Sequence, residues 1–213
     1  MTSRSYAEYE AMFDLTELPG SVLDCCAGGA GFTAEAAARG VDAIAVDPAY
    51  ELPAAELVDT VRRSLPAGGA IVDEHADRFV WKWYGTPAHK DDLRIEAADR
   101  FLQDVSIAPE RYVPGSLPEL PFDDRRFELV LSSHLLFTWA DKYDQDWHLA
   151  ALRELVRVSA SEVRVFPLVQ QGAGEPVTYL PELLTELEGV TAEIRKVPYE
   201  FQVGADEMLV LSR

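Results

Sequence analysis

The stretch SVLDCCAGGAGF, Ser21 to Phe32, restricts the fold more than any other part of this chain. A short apolar run breaks into glycines and then into FTAEAAARG, which has helical composition and ends at Gly40, a suitable C-cap. A second apolar run, DAIAVD (Asp42 to Asp47), follows and is closed by Pro48. Strand, glycine turn, helix and strand in close succession form a βαβ unit, which requires a parallel sheet and a right-handed crossover. The pattern continues with FELVLSS (Phe127 to Ser133) as a strand, WHLAALRELVRV (Trp147 to Val158) as a helix, and EVRVFPLV (Glu162 to Val169) as a strand. AEIRKVPYEF and EMLVLSR, on either side of Gly204, read as a closing antiparallel hairpin.

About sixty residues separate Asp47 from the segment RYVPGSLPELPF, far more than one crossover needs. ELPAAELVDTVRRSL and HKDDLRIEAADRFLQDV both have helical character, so residues 51–109 read as a helical insertion. Emerging after the second strand, it lies at the carboxyl edge of the sheet, where open α/β sheets bind ligands, and there it could serve as a lid. At 213 residues the whole chain, 1–213, reads as one domain.

The glycines let a ligand approach the backbone of the turn, and the helix start supplies free N–H groups. Asp47, 19 residues after Gly28, is placed to accept the hydroxyls of a ribose. Gly29 to Ala34 also matches the letters of a dinucleotide turn, and charge separates the two readings. A pyrophosphate over this turn would meet the Asp24 carboxylate, a repulsion of several kcal/mol in a desolvated site, whereas an ammonium or sulfonium would be attracted. Asp24 therefore favours a cationic adenosine ligand.

VLDCCAGGAGF with VDPAY resembles the first two motifs of class I S-adenosylmethionine-dependent methyltransferases, and LPELPFDDRRFELVLSSHLLF resembles their third and fourth. The resemblance runs from about Tyr6 to the C-terminus. It implies a Rossmann-like, doubly wound, mostly parallel seven-stranded sheet with helices on both faces. It also implies S-adenosyl-L-methionine as cofactor and methyl transfer to a small-molecule acceptor. By that similarity Asp24, Cys26 and Gly28 line the methionine moiety, Asp47 with Pro48 the ribose, and Ser116 with Leu117 the adenine edge, while Ser133 and Tyr9 border the same pocket. Two features depart from the family pattern: Cys26 and Ala30 stand where the outer glycines of the turn usually are, and VSASEVRVF lacks the usual Gly-Gly pair before the fifth strand.

Methyl transfer is an in-line displacement, so alignment and exclusion of water matter most, and a base is needed only when the acceptor must lose a proton first. The segment after the fourth strand supplies the candidates His134, Asp141 and Tyr143, with His148 more at home as a structural residue. Trp139 is either core or a cation–π shield for the sulfonium. Trp81, Trp83 and Tyr84 are either packing of the insertion or a substrate cage. Arg94 and Arg164 are either ion-paired or carboxylate anchors.

Three other readings of the residues stay open. One is an enzyme that cyclises the cofactor's aminobutyl arm to an azetidine and releases methylthioadenosine; the others are an NAD-dependent oxidoreductase and a non-catalytic adenosine-ligand sensor. The net charge of −18 is spread as −6, −4 and −8 over residues 1–50, 51–112 and 113–213, so no stretch offers the basic face that nucleic acid needs. No segment has signal-peptide or membrane-spanning character, and the adjacent Cys25 and Cys26 read as reduced, small, buried residues. A cytoplasmic protein with no metal site and no membrane partner is expected; its oligomeric state is not legible.

Overall fold

The computed structural model describes residues 1–74, 76–171 and 174–213, with 67–74 and 76 described by backbone alone. Its centre is a seven-stranded sheet in the order β3-β2-β1-β4-β5-β7-β6. The strands are β1 (Ser21–Cys25), β2 (Asp42–Val46), β3 (Tyr112–Val113), β4 (Phe127–Ser133), β5 (Ser159–Phe166), β6 (Thr191–Lys196) and β7 (Glu207–Ser212). β3, β2, β1, β4 and β5 run parallel, and β7 lies antiparallel between β5 and β6. The sheet is thus mixed, its antiparallel part being the hairpin legible around Gly204, which adopts φ +81°.

The strands are apolar on both sides because both faces are covered. Leu23, Val130, Val163, Val165, Leu209 and Leu211 face one cluster, together with α5 (Gln145–Val158) and α6 (Leu180–Thr185). Val22, Leu129, Leu131, Met208 and Val210 face the other, together with α1 (Tyr6–Phe13) and α2 (Phe32–Ala38). At the outer margins the sheet ends in the two-residue β3 and in β6, whose sequence TAEIRK is almost wholly exposed.

Two long helices, α3 (Ala54–Glu74) and α4 (Pro87–Ile107), stand between β2 and β3. Phe101 of α4 packs edge-on against Tyr112 and stacks with Tyr50. A Cβ on Gly31 would meet the backbone of Ala97 at 3.1 Å, so α4 comes within backbone contact of the start of α2. The aromatic stretch between the helices packs: Trp83 and Tyr84 lie edge-on to Tyr199, Trp81 and Tyr84 lie edge-on to Phe201, and Val80 N–H donates to Phe201 O at 2.6 Å. Of the two readings of this stretch, the structure takes packing over a cage.

Candidate active site

The chain passes from β1 outward to β2 and β3 and then returns to the far side of β1 as β4, so β1 and β4 are neighbours at the point where the winding reverses. The carboxyl ends of two such strands diverge and leave a crevice. Here the crevice is a cleft of about 160 Å³ lined by Met1, Thr2, Arg4, Tyr9, Cys26, Ala27, Gly28, Asp47 and Ser133 to Leu135. It brings together six of the residues singled out in the sequence, Tyr9, Cys26, Gly28, Asp47, Ser133 and His134.

Asp24 is 1% exposed and lies behind Tyr9, which lines the cleft. Its Oδ1 accepts the Tyr9 hydroxyl at 2.9 Å, and its Oδ2 is buried without a partner. Burial is the main cause that raises its pKa to about 7; the neighbouring Asp47 adds to the rise, and the Tyr9 bond and Arg4 oppose it. An unbonded buried carboxylate oxygen is costly unless a donor is brought to it.

Cys26 and Gly28 shape the turn. Both have positive φ, +62° and +60°. A Cβ on Gly28 would lie 3.1 Å from Thr2 O at a left-handed φ, so any side chain at position 28 is strained and presses on the N-terminal residues. Cys26, by contrast, carries a side chain in the left-handed region, where a non-glycine residue costs about 1–2 kcal/mol. Cys26→Gly is therefore expected to raise stability by roughly 0.5–1 kcal/mol, seen as a melting temperature higher by a few degrees in calorimetry; an unchanged or lower value would mean that the thiol's packing outweighs the strain. Cys25 is fully buried, as expected, whereas Cys26 is only half-buried; both thiols are free.

Asp47 closes β2. Its Oδ2 accepts Gly28 N–H at 3.0 Å and its Oδ1 accepts Ala49 N–H at 2.9 Å, which ties the second strand to the glycine turn. Each oxygen keeps a further lone pair. Tyr50, not singled out in the sequence, donates its hydroxyl to Gly28 O at 2.8 Å. Pro48 is exposed and opens the short helical turn Pro48–Glu51. Ser116 is exposed and Leu117 packs into the core, beside the passage where Gly115 runs against Val46.

The N–H groups expected to be free at this turn are bonded: Gly29 N–H donates to Thr2 O at 3.2 Å and Gly31 N–H to Arg4 O at 2.9 Å. The first residues of the chain form a strap over the turn and line the cleft. It is anchored from two sides, because Arg94 Nη1 donates to Ser3 O at 3.1 Å and the Ser5 hydroxyl caps α1. The sequence carried a signal for half of this, the capping box Ser5-Tyr6-Ala7-Glu8.

Of the three proposed acid–base residues only His134 reaches the cleft. It has φ +55°, and its Nδ1 lies 2.8 Å from Ser133 Oγ and accepts Arg4 Nε–H at 3.3 Å. Burial first, then the cations Arg4 and Arg94, push its pKa well below the usual histidine value, so the ring is neutral. Asp141 and Tyr143 are exposed and outside the lining, Tyr143 being held by stacking on Trp147 at 3.9 Å. His148 is structural: fully buried, with its ring nitrogens 2.7 and 2.9 Å from the Asp144 and Leu136 carbonyls. Trp139 stands under Lys142, 3.8 Å from its ammonium, rather than facing the cleft. Arg94 and Arg164 are ion-paired, with Glu8 and Glu162. Among the described residues no cluster could hold a metal, and no helix is long and apolar enough to cross a membrane.

No family model matches the chain. An uncharacterized protein of Methanocaldococcus jannaschii is 27% identical, covering 100% of this chain and 96% of its own length. Among solved structures, a TehB-like S-adenosylmethionine-dependent methyltransferase from Corynebacterium glutamicum is 15% identical, with TM-score 0.51 over 96% of this chain and 86% of that one. Magnesium protoporphyrin IX methyltransferase from Synechocystis, solved with S-adenosylmethionine bound, is 11% identical, with TM-score 0.51 over 98% of this chain and 80% of that one. The strand order, the glycine turn at the β1–β4 crevice and these likenesses together show that the chain has the fold of the class I S-adenosylmethionine-dependent methyltransferases.

Proposed function

We propose that the chain binds S-adenosylmethionine in the β1–β4 cleft and transfers its methyl group to a small-molecule acceptor. The observation that carries this reading is the unbonded, buried Oδ2 of Asp24, which suits an ammonium donor and repels a pyrophosphate. Asp24 would hold the amine, the Gly28 turn the adjoining chain, and the remaining lone pairs of Asp47 the ribose, with Ser116 and Leu117 beside the adenine. Nucleoside ligands need pockets of about 300 Å³ or more, so the strap residues Met1 to Ser3 move outward when one is seated.

Bound there, the sulfonium would supply a methyl carbon open to attack by an acceptor lone pair, with the S–C bonding electrons leaving on sulfur. The protein's own part is alignment and dryness: Phe32, Leu131 and Phe166 are buried behind the cleft, and Tyr9 fixes the Asp24 carboxylate. His134, kept neutral by burial and by Arg4 and Arg94, would orient an acceptor by hydrogen bonding rather than take its proton. A small acceptor fits the narrow cleft and the acidic charge in every part of the chain.

Mass spectrometry of the purified chain incubated with S-adenosylmethionine, alone and with an acceptor panel, tests the reading. S-adenosylhomocysteine together with a methylated acceptor supports it. Methylthioadenosine formed without acceptor means cyclisation of the cofactor, and calorimetric heat with NAD but none with S-adenosylmethionine means an oxidoreductase.

The ionisation of Asp24 sets a pH dependence. Only the carboxylate attracts the amine, so affinity is expected to rise as pH climbs through about 7 and then level off, falling about tenfold per unit on the acid side. Calorimetry from pH 5.5 to 8.5 gives the curve; a flat profile would show that the amine is held elsewhere.

A further inference from the structure

Arg4 is out of place in so acidic a chain. It is half-buried at the cleft, its Nε donates to His134 Nδ1 at 3.3 Å, and its Nη1 meets neither solvent nor any acceptor among the described residues. Of the carboxylates near it, Glu8 takes Arg94 at 2.8 Å together with the Tyr84 hydroxyl, and Asp24 takes Tyr9 through Oδ1 while its Oδ2 stays open; neither is bonded to Arg4. With 37 acidic side chains available, no ion pair to Arg4 forms among the described residues. A guanidinium stays protonated in proteins, and leaving its N–H groups dry and unpaired costs free energy that a bound anion recovers.

We infer that Arg4 is a carboxylate anchor: its free Nη1–H edge, beside His134 in the β1–β4 cleft, is kept for the carboxylate of a ligand. The inference rests on the proposed function and deepens it. Planarity and a two-pronged donor edge suit a carboxylate better than a point anion. The neutral state of His134 agrees with this, since Arg4 and Arg94 already oppose a further proton there. The strap adds a mechanical consequence. Arg4 O is bonded to Gly31 N–H, so an anion drawn to the guanidinium also bears on the segment that covers the turn.

Two carboxylates could be meant, that of the cofactor's methionine end or that of the acceptor. Calorimetry with S-adenosylmethionine and with its decarboxylated analogue, which keeps sulfonium and amine, separates them. If the cofactor's carboxylate is bound, the wild type prefers S-adenosylmethionine by about tenfold or more, Arg4→Gln erases the preference and Arg4→Lys restores part of it. If the acceptor's carboxylate is bound, Arg4→Gln leaves both affinities at wild-type values. Millimolar malonate then raises the melting temperature of the S-adenosylhomocysteine complex in the wild type and not in Arg4→Gln. A wild-type ratio of affinities in Arg4→Gln, joined to malonate responses that ignore the substitution, overturns the inference.

A wild type that gives no heat with S-adenosylmethionine sinks the parent reading instead. The anchor is then judged on the free protein. Arg4-dependent stabilisation by malonate sustains it, and the absence of that stabilisation ends it. Arg4→Lys keeps the test usable should Arg4→Gln fold poorly.

Discussion

Asp24→Asn is expected to weaken S-adenosylmethionine binding by about 2–4 kcal/mol, or roughly 30- to 1,000-fold in Kd. Asparagine fills the same volume at the end of β1 and can still accept the Tyr9 hydroxyl, so the loss isolates the charge. Folding stability should move the other way. The folded-state pKa of about 7 lies above the ordinary 3.8, so between these values the folded protein binds the proton that the unfolded chain releases. Stability from this group therefore falls as pH rises from about 4 to about 7 and stays low above that. Asp24→Asn removes that fall. Denaturant melts at pH 5 and 8 and calorimetric titrations at pH 8 check both halves. A variant that binds as tightly as the wild type would detach Asp24 from the ligand.

Glu8→Ala should be the most destabilising single change in the N-terminal region. Glu8 is fully buried and gathers Arg94 Nη2 at 2.8 Å, the Tyr84 hydroxyl, Ser5 N–H at 2.7 Å and Ser5 Oγ at 3.0 Å. Tyr84 is bonded in turn to the Tyr199 hydroxyl at 2.8 Å, so one carboxylate links α1, α4, the aromatic stretch and the segment after β6. Removing it leaves Arg94 as an uncompensated buried cation, a loss of about 3–5 kcal/mol, or a melting temperature lower by roughly 10 °C. Scanning calorimetry reads this directly. Glu8→Ala combined with Arg94→Met should recover much of the loss, because no charge is then left stranded; a double variant as weak as the single one would assign the effect to packing.

The parts of the molecule that announce themselves in sequence are those set by local periodicity. Apolar runs next to Gly, Pro and Asp leave few alternatives, so they delimit β4 residue for residue, and β1, β2 and α5 to within two residues. The carboxylates at the ends of β1 and β2 were legible for the same reason: each closes a strand beside the turn. What the sequence hid depends on contacts between distant residues. That the first four residues lie on the glycine turn, and that Arg4 meets His134 across 130 positions, follows from no spacing. Asp141 and Tyr143 stand outside the cleft because the segment after β4 turns through Phe137–Trp139 and carries them outward before α5 begins.

The two margins of the sheet bear on how the protein behaves at high concentration. An unpaired strand is a template on which another chain can add hydrogen bonds, and natural proteins blunt it by shortness or by charge. β3 offers only two residues, and β6 presents Glu193, Arg195 and Lys196. Growth into fibrils by strand addition at either side is thereby discouraged.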